Sequence, residues 1–237
     1  MRRETTNKIR FAIEELLPPI VRDSFLFRNA AKAVWGGHID TLADFRTRAP
    51  FLDASEYEAL YRAHPRVHED TDNSAACLEL ITSYIAGDTL CDIGCGTGHL
   101  LRHIKATSGR TFKRLVGVDF VLPAGAPEAD ADIEFQQSMI EKLPFPDRAF
   151  DTVVCTHVIE HILDYRAAIA ELRRITGRRL IIVVPRERES IYAFNPHFNF
   201  FPYRHSFLRA MIPVPAHNLC LDVGRDIFYM EDRGASQ

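Results

Sequence analysis

TLCDIGCGTGHL, residues 89–100, is the stretch that decides the fold of this chain. Its first five residues, Thr89 to Ile93, predict a short, fully buried strand. Glycines then occupy every second position from Gly94 to Gly98, and a helical pattern begins at His99. Glycine adopts positive φ and lets a ligand approach the backbone closely, while a helix start offers unpaired N–H groups. A strand, a glycine turn and a helix in this order therefore predict a corner that binds a nucleotide-type ligand.

Composition places the chain among ordinary globular proteins. It has 237 residues, of which 46% are hydrophobic and 26% charged, enough for one large domain with a sizeable core. The formal net charge of −3 argues against general nucleic-acid binding. The apolar runs are too short to cross a bilayer, and residues 1–19 lack the apolar core of a signal peptide.

The five cysteines of the chain indicate the redox state of its cellular compartment. None of them belongs to a Cys-x-x-Cys pair, and three lie in or beside predicted buried strands. We expect them to be small core residues of a protein in a reducing compartment, the cytoplasm. They are Cys77, Cys91, Cys95, Cys155 and Cys220.

Residues 1–71 predict a helical cap ahead of a domain over residues 72–237. Apolar residues recur at helical spacing over residues 7–17, and a second helical stretch runs from Val21 to Trp35. The first 35 positions contain seven basic and four acidic residues, with aromatic residues nearby. Weak peripheral membrane contact would fit this pattern, but the basic excess is small, and packing over the core is the favoured interpretation.

Two further helix starts follow in the sequence. Ser55-Glu-Tyr-Glu58 is a capping box, and its helix carries an aromatic stripe that includes Tyr61, a candidate for contact with a substrate. Asp72-Asn-Ser74 caps the next helix, which Gly87 ends. That helix leads directly into the strand of the opening stretch.

From residue 88 onward, strands and helices alternate. Continuous apolar strands between helices imply a parallel sheet that is covered on both faces. A helix begins after Asp164 and ends at Gly177. The last two strand-like pieces predict a terminal antiparallel hairpin. The predicted strands after the first cover residues 115–118, 133–137, 150–155, 180–184, 220–223 and 227–230.

The ends of the predicted strands narrow the choice of ligand. In open α/β sheets ligands bind at the carboxyl ends of the strands. The second strand ends in VGVD, so Asp119 stands where an acid can accept hydrogen bonds from ribose hydroxyls. Enzymes that use NAD and enzymes that use S-adenosylmethionine (SAM) share this arrangement. A dinucleotide fingerprint needs Gly-x-Gly-x-x-Gly, and here His99 stands at the third glycine position.

Residues 88–185 resemble a class I SAM-dependent methyltransferase. CDIGCGTG is similar to that family's first motif, VGVD to its second, and EKLPFPDRAFDTVVCTHVIEHI to the segment of its third and fourth. The resemblance implies an α/β fold with a Rossmann-like, seven-stranded, mostly parallel sheet and a reversed last strand. It also implies SAM as the cofactor and S-adenosyl-L-homocysteine as the product.

The resemblance assigns cofactor contacts residue by residue. It implies that the glycine turn wraps the methionine part of SAM, that Asp119 binds the ribose and that Phe120 flanks the adenine. Relatives often place an acid that meets the adenine shortly before Leu-Pro-Phe, which here falls at Glu141 or one or two positions earlier. The acid often seen further back is replaced by Met139 or Ser138, so backbone groups of Met139 and Ile140 are expected to meet the adenine. The implied cofactor residues are Asp92, Gly94, Cys95, Gly96, Gly98, Asp119, Phe120, Met139, Ile140 and Thr156.

His157 and His161 are the candidate catalytic bases. They directly follow the fourth strand, where the family meets the transferred methyl group, and imidazole titrates near neutral pH. His-x-x-Glu-His is also a zinc-protease pattern, but that motif belongs on a long helix and not directly after a buried strand. Small-RNA 2′-O-methyltransferases are similar here, since they hold a divalent ion with Glu-x-x-Glu-His and a later histidine. His157 replaces the first Glu of that pattern, and we assign no metal site.

Residues 186–207 form an aromatic insert beside the expected methyl donor. We predict that it shapes the acceptor pocket, with Arg186 able to meet a phosphate or carboxylate. The alternatives are that its aromatic residues pack the cap onto the sheet, or that they stack nucleic-acid bases, which the acidic net charge disfavours. The candidate substrate residues are Tyr61, Arg186, Tyr192, His197 and His205.

These patterns together predict a cytoplasmic SAM-dependent methyltransferase. The expected acceptor is a small molecule, such as a hydroxyl of a sugar, a lipid-linked compound or another metabolite. Two alternatives stay open: a metal-assisted RNA 2′-O-methyltransferase, and a SAM-binding partner subunit without activity. The motifs do not identify the acceptor, because one fold hosts many substrates.

Overall fold

A computed structural model describes residues 11–36, 38–53, 55–57, 59, 71–122, 130–192 and 195–234. Seven strands and seven α-helices form the regular structure of these residues. The strands are β1 (Thr89–Ile93), β2 (Arg114–Asp119), β3 (Ile133–Gln137), β4 (Phe150–Thr156), β5 (Thr176–Pro185), β6 (Asn218–Val223) and β7 (Asp226–Asp232). The helices are α1 (Pro19–Arg22), α2 (Phe25–Trp35), α3 (His38–Arg48), α4 (Ala75–Tyr84), α5 (His99–Thr107), α6 (Tyr165–Ile175) and α7 (Arg204–Ala210).

All seven strands belong to one sheet, in the order β3-β2-β1-β4-β5-β7-β6. Strands β1 to β5 pair in parallel, whereas β7 lies antiparallel between β5 and β6. The predicted mostly parallel sheet with a reversed last strand is therefore confirmed, as is the terminal hairpin. The strand order turns back at β1 and β4, and such a switch point opens a crevice at the carboxyl ends of the two strands.

Apolar side chains fill both faces of the sheet. On one face, Cys91 and Ile93 of β1 belong to a cluster that includes Leu172 of α6. On the other face, Leu90 of β1 joins a cluster with Ile81 of α4. Successive residues of β1 therefore alternate between two cores, which explains why its sequence is apolar apart from Thr89 and Asp92.

The cysteines occupy these cores as expected. Cys77, Cys91, Cys95 and Cys155 are buried and Cys220 is half-buried, and all five are free thiols. Among the described residues, no helix is both long and apolar enough to span a bilayer.

The N-terminal helices differ from the prediction. The prediction of a single helical stretch from Val21 to Trp35 is wrong, because α1 ends at Arg22 and α2 begins at Phe25. Ser24 separates them, since its side chain accepts a hydrogen bond from the N–H of Phe27 at 3.2 Å and caps α2. The predicted stretch over residues 7–17 is described from residue 11, where a π-helical turn covers Ala12–Leu16. Helix α3 was not predicted.

Two other boundaries also move. Gly177 does not end a helix but lies in β5, which starts at Thr176 and is four residues longer at its N-terminus than predicted. At the predicted capping box, Asp53 takes the capping role instead of Ser55. Its Oδ1 accepts from the N–H groups of Ser55 and Glu56, both at 2.9 Å. Glu58 of that box lies outside the described residues.

The N-terminal segment docks on the start of the 186–207 insert. Arg22 donates to the carbonyl oxygen of Glu189 at 2.8 Å, and Arg46 donates to that of Ser190 at 2.5 Å. The N–H of Ile191 donates to Asp23 Oδ1 at 3.1 Å. The fourth polar contact between these segments is the ion pair of Arg188 with Glu15 at 3.3 Å. Together these contacts hold the cap over the carboxyl edge of the sheet.

Candidate functional site

The glycine turn bends tightly from β1 toward β2. The N–H groups of Gly94 and Cys95 both donate to the carbonyl oxygen of Val118, at 2.7 and 3.0 Å. Gly94 and Gly98 have φ of +79° and +84°. A Cβ on Gly94 would lie 2.1 Å from Val158 Cγ2, and one on Gly98 would lie 2.7 Å from a ring carbon of Phe135. Only glycine fits these positions, because both the backbone angle and the space exclude a side chain.

Asp119 ties the turn to the end of β2. Its Oδ2 accepts from the N–H of Gly96 at 2.7 Å, and its Oδ1 accepts from the N–H of Val121 at 3.1 Å. The carboxylate is buried, and both of its oxygens accept hydrogen bonds from backbone N–H groups. The predicted ribose acid thus also shapes the turn.

Asp92 is the second carboxyl group at this edge. It is 2% exposed, and burial together with the neighbouring charge of Asp119 raises its pKa to about 8. An anion is unfavourable at this position unless a cation pairs with it. The turn therefore favours a ligand that carries positive charge.

The remaining predicted cofactor residues line the ends of the neighbouring strands. Phe120 is half-buried after β2, Met139 is 46% exposed, and Ile140 packs its side chain into the core. Thr156, the last residue of β4, accepts a 2.9 Å hydrogen bond at Oγ1 from the side chain of Asn73. The structure thus brings these residues to one edge of the sheet, and their contacts with a cofactor stay predictions.

Cys95 has a structural role in the turn. Its side chain packs on β2, where Gly117 leaves room for it, since a Cβ on Gly117 would lie 2.8 Å from Cys95 Sγ. Cys95 is 7% exposed. Any contact with a ligand would therefore have to come from its backbone.

His157 stands between two carboxylates. Its Nδ1 lies 3.6 Å from Glu160 Oε1 and its Nε2 lies 3.9 Å from Asp226 Oδ1. Burial lowers the pKa of His157, but the carboxylates of Glu160, Asp226 and Asp72 outweigh it and raise the pKa above its usual value. Its φ is +56°, an angle that non-glycine residues seldom adopt.

His161 meets His197 across the insert. Their ring centroids lie 4.6 Å apart in an edge-to-face arrangement, and the backbone carbonyl of Pro196 lies 3.1 Å from His161 Nδ1. Burial and the neighbouring His197 lower the pKa of His161 to about 4. The predicted catalytic His161 and the predicted substrate residue His197 thus come together, and His161 is a neutral imidazole at pH 7.

The other predicted substrate residues that the structure describes lie away from the His161–His197 pair. Arg186 and His205 line one surface pocket, together with Tyr203 and Asp222, and none of these four belongs to the His161–His197 cluster. Tyr192 is half-buried near Arg28 of the N-terminal helices. Tyr61 lies outside the described residues.

An aromatic group covers the cleft from the side of the cap. Phe45 and Tyr57 pack on Phe198 of the insert, with ring centroids 5.3 and 6.5 Å away. Tyr57 also packs edge-on against Phe120 at 6.2 Å. Arg46 stacks over the ring of Phe200 at 4.8 Å. Phe198 and Phe200 of the insert therefore pack against the cap, while His197 in the same insert contacts His161.

Sequence reasoning missed three polar groups. Glu160 is 1% exposed, Glu187 is hydrogen-bonded to His197 Nδ1 at 2.5 Å, and Asn73 has a buried Oδ1 without a hydrogen-bond partner among the described residues. Glu160 sits inside the quoted His-x-x-Glu-His segment, so the signal was available there. Glu187 and Asn73 reach the cleft only through tertiary packing.

Comparisons with known proteins agree on one family. Residues 91–182 match the family model described as a methyltransferase domain. The uncharacterized methyltransferase YcgJ of Bacillus subtilis is 33% identical over 101 residues, 38% of either chain. The ubiquinone/menaquinone biosynthesis C-methyltransferase UbiE of Geotalea uraniireducens is 28% identical over 128 residues, 49% of this chain and 54% of its own. Residues 91–182 of this chain are therefore similar to the methyltransferase domain of SAM-dependent methyltransferases.

Solved structures support the same fold over a longer span. The methyltransferase partner of the Trm112 activator from Haloferax volcanii covers 78% of this chain and 95% of its own, with 15% identity and a TM-score of 0.54. PH0226 from Pyrococcus horikoshii covers 73% and 98%, with 17% identity and a TM-score of 0.53. This chain spans 38% and 54% of the lengths of the two curated relatives described above. The shared fold extends across most of this chain.

SAM is the cofactor of this methyltransferase domain, and the turn fits it. Gly94 and Gly98 have positive φ, and because they lack side chains, Val158 and Phe135 pack directly on the turn. SAM carries an ammonium and a sulfonium group, and the buried Asp92 beside Asp119 favours a cation. Asp92 and Asp119 would hold the cofactor, which supplies an activated methyl group.

Proposed function

We propose that this protein transfers a methyl group from SAM to a hydroxyl of a small-molecule acceptor. The observation that carries the proposal is the contact between the glycine turn and the histidine segment, since Val158 packs directly over Gly94. His157 therefore sits one residue from the wall of the cofactor turn. A nucleophile bound beside His157 would be close to the methyl donor, and alignment of this kind supplies much of the rate of methyl transfer.

His157 and His161 are the proposed general bases for the acceptor hydroxyl. Both follow β4 at the carboxyl edge, and Asp226 and Glu160 flank His157. A base in this position would take the hydroxyl proton as oxygen attacks the methyl carbon. Asp119 is the proposed ribose ligand and Phe120 the proposed adenine neighbour.

The relatives extend the range of acceptors worth testing. UbiE is named for C-methylation in ubiquinone and menaquinone biosynthesis, and a relative from Deinococcus radiodurans, 31% identical over 100 residues, is named demethylmenaquinone methyltransferase. An acceptor with a ring hydroxyl is compatible with the proposed base. We therefore include a demethylmenaquinone analogue beside sugar and lipid-linked hydroxyl compounds.

Peripheral membrane contact is part of the proposal. Ile20, Phe25 and Leu26 of the N-terminal helices are 85%, 67% and 66% exposed, next to basic residues of α2. Exposed apolar side chains with basic neighbours favour an anionic lipid surface. Five free cysteines support a reducing compartment, the cytoplasm. Flotation with anionic liposomes tests the contact, and a protein that stays at the bottom of the gradient contradicts it.

Cofactor binding and transfer are tested separately. Calorimetry should detect SAM and S-adenosyl-L-homocysteine but no NAD. Transfer of labelled methyl from SAM is then measured across the acceptor panel, with a short RNA as a further substrate. Label on a hydroxyl oxygen of a small molecule supports the proposal, whereas label on a ring carbon or in RNA contradicts it. SAM binding without transfer to any acceptor identifies a non-catalytic partner subunit.

A further inference from the structure

Three side chains converge behind the aromatic group that covers the cleft. Glu160, His161 and His197 each offer a potential metal-ligand atom, and these atoms all lie within 4.8 Å of one another. Metal–nitrogen and metal–oxygen bonds of about 2.0–2.2 Å place ligand atoms about 3.0–3.4 Å apart, so small side-chain shifts would close the group around an ion. Two imidazoles and one carboxylate form a common ligand set for first-row transition metals.

Both imidazoles are oriented by oxygen atoms on their Nδ1 side. His197 Nδ1 donates to Glu187 Oε2 at 2.5 Å, and His161 Nδ1 donates to the carbonyl oxygen of Pro196 at 3.1 Å. In the neutral imidazole each contact places the hydrogen on Nδ1, which makes Nε2 the nitrogen that can bind a metal. Carboxylates and backbone carbonyls orient metal-binding histidines in this way. Glu187 thus stands as an outer partner of the three-residue cluster.

The cluster also has buried negative charge. Glu160 is 1% exposed, and its Oε2 has no hydrogen-bond partner within the part of the chain that the structure describes. Glu187 is 7% exposed and interacts with the charge of Arg46. A buried carboxylate with an unpartnered oxygen, as in Glu160, is costly. A divalent cation would remove that cost.

We propose that Glu160, His161 and His197 bind one divalent first-row transition metal ion, with Glu187 as a positioning residue. Mg²⁺ and Ca²⁺ are excluded as preferred ions because they favour all-oxygen ligand sets. Three protein ligands leave further coordination positions for water or an acceptor oxygen.

The role of this site rests on the proposed function. An acceptor hydroxyl bound to the ion would lose its proton more easily, because a metal ion lowers the pKa of a coordinated oxygen. The oxygen would then bond to the methyl carbon as the carbon–sulfur bond breaks, with the electron pair left on sulfur and the proton on His157. With the ion bound, His161 would act as a ligand, and of the two bases proposed above only His157 would remain.

The full-length protein, stripped with a chelator, is titrated with Zn²⁺, Mn²⁺ and Co²⁺, and with Mg²⁺ as a comparison. We expect one ion per chain by elemental analysis, and a visible ligand-field absorption band with Co²⁺. Affinity should fall at least 100-fold in His161→Ala and His197→Ala, and about 10-fold in Glu187→Gln. Glu160→Gln keeps the size of the side chain and should lose affinity while it still binds SAM.

Two matched variants control for these substitutions. His217 and Glu79 are exposed and lie outside the cluster, so His217→Ala and Glu79→Gln should bind the ion as the unaltered protein does. The inference is overturned if the stripped protein takes up no stoichiometric ion, or if the cluster variants bind like the controls. An ion without SAM binding upholds the metal site and refutes the proposed function, whereas SAM-dependent transfer without an ion does the reverse.

Discussion

Tyr57 donates its phenol hydrogen to the backbone carbonyl oxygen of His161 over 2.8 Å. This bond joins the N-terminal segment directly to the histidine segment after β4. Tyr57→Phe should lower the free energy of unfolding by about 1 kcal/mol, the value of one hydrogen bond, and keep the ring contacts. Tyr57→Ala also loses the contacts with Phe120 and Phe198 and should cost more. Urea unfolding checks both, with Tyr84→Phe in α4 as control, and an equal loss in the control would contradict the assignment.

Gly94→Ala should damage both folding and SAM binding. A Cβ would meet Val158 at 2.1 Å in a residue with φ of +79°. The backbone angle costs about 1–2 kcal/mol and the overpacking about 1–3 kcal/mol. Gly224→Ala is the matched control, since its φ is +64° but no atom lies within 4 Å of the new Cβ. Thermal melting and calorimetry with SAM should show a larger loss of stability and SAM affinity in Gly94→Ala than in Gly224→Ala. Equal losses in the two variants would refute the role of Val158.

Asp119→Asn should weaken SAM binding about 10- to 100-fold. The carboxylate accepts from the N–H groups of Gly96 and Val121, and hydrogen bonds to a charged group contribute about 1.5–3 kcal/mol. Asp132→Asn, at an exposed carboxylate paired with Lys105, should leave SAM affinity unchanged. Calorimetry with SAM measures both, and unchanged affinity in Asp119→Asn would contradict the ribose assignment.

Asp92 should make stability depend on pH. Its pKa is about 8 in the folded protein and about 4 in an unfolded chain, so folding takes up a proton between these values. This contribution is fully present below pH 4 and is lost as pH rises through 8. Relative to Asp92→Asn, the protein without SAM should lose up to about 1.4 kcal/mol of stability per pH unit. Urea unfolding at pH 5.5 and 7.5 measures the difference, and parallel changes in the two proteins would refute it.

His157→Asn should slow transfer without loss of the fold. Asparagine tolerates the positive φ of position 157, whereas His157→Ala adds strain. With the acceptor identified by the panel, we expect kcat to fall about 10²- to 10⁴-fold in His157→Asn, the usual contribution of a general base. SAM affinity should stay within about twofold. A variant with the original kcat would remove His157 from the chemistry.

The sequence predicted the sheet because its signals are local. Glycines at positive φ, apolar strand runs and the Asp164 cap of α6 each depend on neighbouring residues only. The prediction that Gly177 ends a helix was wrong because it also used only neighbouring residues. The place of Gly177 in β5 is set by the approach of Phe150, which is distant in the sequence.

The candidate site was predictable only in part. The segment with His157 and His161 directly follows a recognisable strand, so its position at the cleft could be inferred. The pairing of His197 with Glu187, and the separation of His205 from both, depend on how the insert folds back over the sheet. No spacing in the sequence encodes that path.

The reversed direction of β7 has a practical consequence for binding assays. Asp226 pairs with Pro185 at the cleft edge, whereas Asp232 pairs with Arg179 near the opposite edge. A surface tether attached near Arg233 would therefore hold the cleft toward the flowing solution of a biosensor. A tether at the turn of Gly224 would press the same cleft against the chip.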